Sequence, residues 1–338
     1  MRNRITALLG ALAALSMLVV SACGATAAKQ TGTSTSASAA GEPVSGLRSM
    51  VPNTPGGGYD TTARTAAKVM EDTKIASGVQ VFNLPGAGGT VGLQRTINEK
   101  GNGKLAMLMG LGVVGASYAS KSTATLTQTT PIAKLIEEAG AIVVSKDSPY
   151  RTIGDLVTAW KKDPKKVTVG GGSSPGGPDH LLPMQLAKAV GIDPKQVNFV
   201  SYDGGGELLP AILGNKIGFG ASGYGEFLDQ VEAGTVRILA VTSAEPIDVV
   251  KDVPTLKASG IDRVFSNWRG IVAPPGIGDA DKKTWIEAIT RMHDSQEWKS
   301  ELTKRGWTDA FLPGDQFTAY LAEQDKSVAA ILSELGLA

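Results

Sequence analysis

Two periods of apolar residues alternate along this chain. Short apolar runs recur at 47–51, 79–83, 104–109, 132–137, 141–145, 167–170, 198–202, 216–221 and 236–242, each the length of a buried strand. Between them, apolar residues spaced three and four apart predict helices at 59–72, 91–98, 152–162, 181–190, 207–213 and 226–233. The start of the 152–162 helix is marked by Thr152 with Asp155 three residues on, a capping-box pattern. Residues 265–272 read as extended, and helices follow at 281–294, 297–304 and 316–335. Strands alternating with helices at this spacing predict an α/β fold with parallel sheets flanked by helices.

Two stretches stand outside the pattern. Residues 1–22 begin with Arg2 and Arg4 and continue through an apolar run over 5–20, a signal-peptide pattern too short for a membrane span. The run ends Val20-Ser21-Ala22-Cys23, which resembles a bacterial lipobox. Cleavage before Cys23 would expose it for lipid attachment at the outer face of the cytoplasmic membrane. An ordinary secretory signal is the alternative. Cys23 is the single cysteine, so the chain forms no internal disulfide. Residues 25–46 are Ser-, Thr-, Ala- and Gly-rich without apolar period, so 23–46 reads as a lipid-anchored flexible tether.

Composition narrows the function. With 338 residues, 42% of them hydrophobic, the chain has enough apolar material for one large or two medium domains. A formal charge of +1 supports neither nucleic acid nor an acidic surface as partner. Two histidines and one cysteine, with no C-x-x-C or H-E-x-x-H, give no basis for a metal site, and no cofactor is expected.

Glycine is the residue in excess, 42 of 338, against an ordinary share of about 7%. It concentrates where predicted strands give way to helices. The first such loop holds Thr54 and Pro55-Gly56-Gly57-Gly58-Tyr59-Asp60, with Asp60 or Thr61 as expected N-cap. The second is Asn83-Leu84-Pro85-Gly86-Ala87-Gly88-Gly89, and the third is Gly170-Gly171-Gly172-Ser173-Ser174-Pro175-Gly176-Gly177-Pro178-Asp179-His180. Glycines let several backbone N–H groups point one way, and a helix N-terminus adds positive potential, which together make an anion site. A tight turn needing positive φ would explain any one loop. Three at strand C-terminal ends place them on the edge where open α/β sheets bind ligands.

These motifs resemble the substrate-binding proteins of tripartite tricarboxylate transporters, the Bug-type receptors. Residues 55–64 resemble the family's first ligand loop, and Asn83-x-Pro-Gly-Ala-Gly-Gly its second. Gly172-Ser173-Ser174 leading to His180-Leu181, Ser201-Tyr202-Asp203-Gly204-Gly205, Val253-Pro254-Thr255-Leu256 and Trp268-Arg269-Gly270 follow in family order, so the likeness covers residue 47 to the C-terminus. It implies a type II-like periplasmic-binding-protein fold with two lobes, 47–140 plus 264–338 and 141–263, and hinges near Gly140 and Val264. It implies no catalysis. A small di- or tricarboxylate, or a related organic acid, would sit in the interlobe cleft. Its contacts would be Thr54, Gly56, Gly57, Gly58, Tyr59, Asp60, Gly86, Ala87 and Gly88 from one lobe, and Ser173, Ser174, Gly177, Tyr202 and Ser222 from the other. The implied partners are one large and one small polytopic membrane protein, with the receptor a monomer. Four positions depart from the family pattern. Pro178 and Asp179 replace small residues, Asp203 replaces a usual basic residue, and Ser222 stands where an acidic one is frequent. A carboxylate at 179 or 203 facing the cleft would repel an anion.

Two enzyme motifs compete. Gly110-Leu111-Gly112-Val113-Val114-Gly115 is a formal G-x-G-x-x-G, but it does not follow the first strand of a βαβ unit, and Glu137 and Glu138 come before the 141–145 strand instead of ending it. Gly172-Ser173-Ser174-Pro175-Gly176 is a formal G-x-S-x-G, which leaves a secreted serine hydrolase using Ser174 as the alternative function. A nucleophile elbow must run directly into a helix, and Pro175 to Pro178 oppose that. His180 reads as a structural residue at a helix N-terminus, Trp268 as packing, and the lysines at 161, 162, 165 and 166 as a solvated helix end.

Overall fold

The structure, a computed structural model, describes residues 42–202 and 204–337. The leader, Cys23 and Asp203 lie outside them. After a two-residue strand β1 (Val44–Ser45), the chain runs through β2 (Arg48–Val51), α1 (Gly58–Asp72), β3 (Ala76–Ser77), β4 (Gln80–Asn83), α2 (Thr90–Asn98), β5 (Leu105–Gly110) and α3 (Leu111–Ala119). Next come β6 (Thr130–Ser145), α4 (Ile153–Lys162), β7 (Val169–Gly171), α5 (Pro178–Ala189), β8 (Phe199–Ser201), α6 (Gly205–Leu213) and β9 (Phe219–Gly223). The chain closes with α7 (Leu228–Glu232), β10 (Val236–Val241), β11 (Ser266–Ala273), α8 (Asp279–Asp294), α9 (Gln296–Arg305), β12 (Thr308–Pro313) and α10 (Asp315–Glu334). β1 pairs with β3, and the other strands form one sheet in the order β4-β2-β5-β11-β6-β9-β7-β8, with β10 and β12 also on β6.

The fold is two-lobed α/β, and β6 is what the lobes share. Its first part, from Thr130 to Ala139, pairs with β11, and with β12 over part of that length. From Gly140 to Ser145 it pairs with β9 and β10. Two short strands are expected here and one strand of 16 residues is found. The polar Glu137 and Glu138 read as a break, but each has a cation. Glu137 pairs with the buried Lys134, and Glu138 with the buried Arg269 on β11. Partnered charges let a strand run on through a core that would reject bare ones.

The expectation of parallel sheets is corrected to a mixed sheet. β2 is parallel to β4 and β5, and β7 is parallel to β8 and β9. β11 and β10 are antiparallel to β6, because the chain passes from one lobe to the other and back. Thr242, fully buried just after β10, joins the two crossings. Its hydroxyl accepts from Gly140 N–H at 2.7 Å and donates to the Phe265 carbonyl at 2.6 Å.

Four elements were not anticipated: the two-residue strands β1 and β3, the helix α3 and the strand β12. α3 is apolar on every side, so it carries no helical alternation to detect. β12 is short and half-exposed. The capping box of α4 forms as expected, with Asp155 N–H donating to Thr152 Oγ1 at 3.1 Å. The expected cap of α1 does not: Gly57 is the N-cap, and Asp60 lies in the first turn.

Candidate ligand-binding cleft

Strand C-terminal ends of both lobes open onto one cleft. From β2 the chain enters α1 at Gly57 and Gly58, and from β5 it enters α3 near Gly112. From β7 it enters α5 at Gly177 and Pro178, and from β8 it enters α6 at Gly204 and Gly205. All of these line a single cavity of about 640 Å3, counted with its open mouth. Four helix N-termini therefore face one space. Each adds about half a positive charge, although at α5 the N–H groups of Asp179, His180 and Leu181 already donate to Ser173 Oγ and the Gly177 carbonyl, and at α3 Gly112 N–H already donates to Tyr59 Oη.

Close approach of the lobes at this cavity depends on glycine. Gly115, third in the G-x-G-x-x-G, lies on α3, and a Cβ there would sit 1.7 Å from the carbonyl oxygen of Gly176. The glycine thus brings a helix against the 172–177 loop rather than against a pyrophosphate. Gly88, at φ +65°, would place a Cβ 2.6 Å from Ala116 Cβ and 3.2 Å from Ser174 Oγ.

The cavity wall is charged. Arg269, 2% exposed, pairs through Nη2 with buried Glu138 and donates through Nη1 to Thr62 Oγ1 at 3.3 Å. Its Nε has no partner, nor do the buried Oδ1 atoms of Asn53 and Asn267, and all three residues line the cavity. Asp179 and Glu226 line it as well. Ser222 Oγ donates to Asp179 Oδ2 at 2.9 Å. Burial pushes the Asp179 carboxyl up to about 7; hydrogen bonds from Ser222 and Gly172 oppose this, and the charge on Glu138 adds to it. Burial likewise raises Glu226 to about 8, helped by the negative charges of Asp179 and Glu138. Burial also raises the Tyr59 hydroxyl, to about 12, although Arg269 pulls it down.

The two raised carboxyls predict a pH effect. Their folded-state values exceed unfolded ones near 4, so the folded chain binds more protons between about pH 4 and 8. Their contribution to stability is present at low pH and is lost as pH rises through that window, with a slope of at most about 1.4 kcal/mol per pH unit for each group. Urea unfolding without ligand at pH 5 to 8 should show this decline, and Asp179→Asn should flatten it.

Of the residues proposed from sequence, Thr54, Gly57, Gly58, Tyr59, Gly88, Ser173, Ser174 and Gly177 line the cavity together. Tyr59 Oη accepts from Gly112 N–H at 3.1 Å, and Ser173 Oγ accepts from Asp179 N–H at 3.0 Å. The others lie around it. Gly56 borders a neighbouring chamber of about 1100 Å3, which shares Gly58, Gly205, Glu226 and Arg269 with the first. Asp60 is buried behind the loop, where it accepts from Gly56 N–H at 3.0 Å and from Asn83 Nδ2 at 2.9 Å and pairs with Arg64. Burial opposes its charge, but hydrogen bonds from Arg64, Gly56 and Asn83 outweigh it and hold its carboxyl below the ordinary range. Gly86 and Ala87 form the outer turn of their loop, Tyr202 packs against an apolar cluster that includes Leu208 and Ile212, and Ser222 stands behind Asp179.

Arg269, Glu226, Asn53 and Asn267 were not singled out as site residues. For Arg269 a signal existed, a lone arginine inside an apolar strand; for Glu226 and the asparagines the sequence offers none. His180 is buried, accepts from Gly176 N–H through Nδ1 at 3.2 Å and packs edge-on against Phe199. Burial lowers it to about 4, so it is neutral. His293 is stacked on Phe311 beside Asp309. Among the described residues, neither is bonded to Ser174.

Comparison with known proteins agrees with the architecture. Residues 62–337 match the model of the tripartite tricarboxylate transporter family receptor. A UPF0065 protein from the TAR-I ttuE-ttuC' intergenic region of Agrobacterium vitis is 31% identical over 250 residues, covering 73% of this chain and 71% of that one. The crystal structure of a TctC solute-binding protein from Polaromonas is 25% identical, with TM-score 0.64, over 86% of this chain and 99% of that one. An R. palustris protein solved with adipate shares the fold at 18% identity and TM-score 0.79, over 87% of this chain and 98% of that one.

Proposed function

The chain belongs to the tripartite tricarboxylate transporter receptor family, and from that premise we propose that it captures a small organic acid in the cleft and delivers it to a membrane carrier of one large and one small polytopic subunit. The observation that carries this reading is the convergence of four helix N-termini on one cavity, with the hydroxyls of Thr54, Ser173 and Ser174 among its lining. A carboxylate there accepts fixed N–H and O–H donors and needs no countercharge of its own. The lobes divide as 47–140 plus 264–338 and 141–263, and β6 and the link to β11 flex near Gly140 and Val264. A ligand that touches both lobes binds the closed state more tightly, and so shifts the population toward closure.

The test is a thermal-shift screen against carboxylic acids. A true ligand at a hundred times its Kd should add about 2.7 kcal/mol of stability. No shift with any carboxylate would remove the reading.

The receptor is held at the outer face of the cytoplasmic membrane through lipidated Cys23, and the expected tether of 23–46 is shortened at its far end, where Val44–Ser45 form β1 and pair with β3. No described helix is long and apolar enough to cross a membrane. Cys23→Ala should move the protein out of the detergent phase. A variant that partitions like the parent would mean that nothing is attached there.

A further inference from the structure

Building on the carboxylate-receptor reading, we propose that the ligand is a zwitterion of the amino-acid type, whose protonated amine is seated against Asp179 and Glu226 while its carboxylate takes the glycine-loop amides. The cavity holds two kinds of unused hydrogen-bonding group. The donors are the N–H groups that open α1 and α6, where Gly58 and Gly205 line the cavity, and the partnerless Nε of buried Arg269. The acceptors are the buried, partnerless Oδ1 atoms of Asn53 and Asn267, and beside them the carboxyls of Asp179 and Glu226, which already accept from Ser222 and, at Asp179, from Gly172 but have further lone pairs to offer. A ligand with oxygens alone satisfies the first set and leaves the second facing it.

Charge leads to the same ligand. Arg269 is the one cation among the cavity's lining residues, and Glu138 already neutralises it. Lys304 and Arg305 line the neighbouring chamber that Glu226 also borders, but both pair with Glu301, so within this cavity Asp179 and Glu226 have no countercharge of their own. Ser222 holds Asp179 in place from behind through its hydroxyl, and Glu226 Oε2 lies against the backbone of Gly205, where a Cβ would come within 2.4 Å. A second ligand carboxylate would meet these groups and lose affinity by repulsion or by having to take up a proton. An ammonium in the same place supplies the missing charge and up to three donors.

The test is calorimetric titration of the purified full chain with matched pairs: succinate against β-alanine, glutarate against 4-aminobutanoate, and lactate against alanine. The amine member of at least one pair should bind ten times or more tighter than its partner. Asp179→Asn and Glu226→Gln, both near-isosteric, should each reduce that preference at least tenfold while circular dichroism stays unchanged. Acid members that bind as well as their amine partners in every pair would overturn the inference and leave the receptor reading standing. An amine preference that survives both substitutions would also overturn it. If no member of any pair binds, and the wider acid panel gives no shift, the receptor reading falls and takes this inference with it.

Discussion

Gly115→Ala is expected to lower ligand affinity by about a hundredfold or more while the unliganded protein stays as stable as the parent or gains. The asymmetry comes from where the added methyl goes. On α3 itself alanine is the better residue, by up to about 1 kcal/mol. Against the other lobe it has no room, since its Cβ would lie 1.7 Å from the Gly176 carbonyl oxygen. Backbone is the neighbour, so no side chain can swing aside. The contact is relieved only by moving the 172–177 loop, which carries Ser173 and Ser174, or by holding the lobes apart. Either movement separates donors that a bound carboxylate must reach together, and a hundredfold loss corresponds to about 2.7 kcal/mol. Calorimetry with the tightest acid, beside thermal unfolding without it, separates the two effects. Small-angle scattering adds a third reading: saturating ligand should shrink the parent and leave the variant unchanged. Parent-like affinity in Gly115→Ala would remove the argument that close approach at this glycine is required for binding.

That glycine also illustrates what could be read from the sequence. The strand–loop–helix units of both lobes were readable because each has a clear apolar period bounded by glycine and proline. The three glycine loops were readable as loops at strand ends, and Gly57, Gly58, Gly88 and Gly177 from them line the cavity. Harder were the features whose meaning lies across the sheet. Glu137-Glu138 looks like the end of a strand until Lys134 and Arg269 are placed beside it. Gly110 to Gly115 looks like a nucleotide loop until α3 is seen to be helical and to touch Gly176. Asp179 was visible as a departure from the family pattern, but whether it faced the cleft depended on the direction of α5. Glu226 follows β9 in a short 3-10 turn, Tyr224–Phe227, and no periodicity marks which way it points. Local pattern carried the elements, while the polar residues that give this cleft its character are positioned by partners far away in the chain.

Arg269→Met should be the most destabilising single change in the cleft, by about 3–5 kcal/mol, because it leaves the carboxylate of Glu138 buried with its cation removed. Methionine fills a similar volume, so the loss is chiefly electrostatic. Replacing both partners tests this: Arg269→Met with Glu138→Gln should recover most of the stability, since no buried charge is then unpaired. The pH dependence adds an independent check. Arg269 pulls the carboxyls of Asp179 and Glu226 downward, against burial and mutual repulsion. Without it both hold their protons to higher pH. The folded variant then binds more protons than the unfolded chain over a wider range, so its stability should fall further than the parent's as pH rises from 5 to 8. Urea unfolding of parent, single and double variants across that range distinguishes the outcomes. A single variant within about 1 kcal/mol of the parent at pH 7 would mean that Glu138 finds water or another donor, and that Arg269 serves the ligand rather than the fold. A large loss rescued by Glu138→Gln, with affinity for the acid still reduced, would assign Arg269 both tasks: closing the charge balance at the shared strand β6, and turning its free Nε toward the ligand.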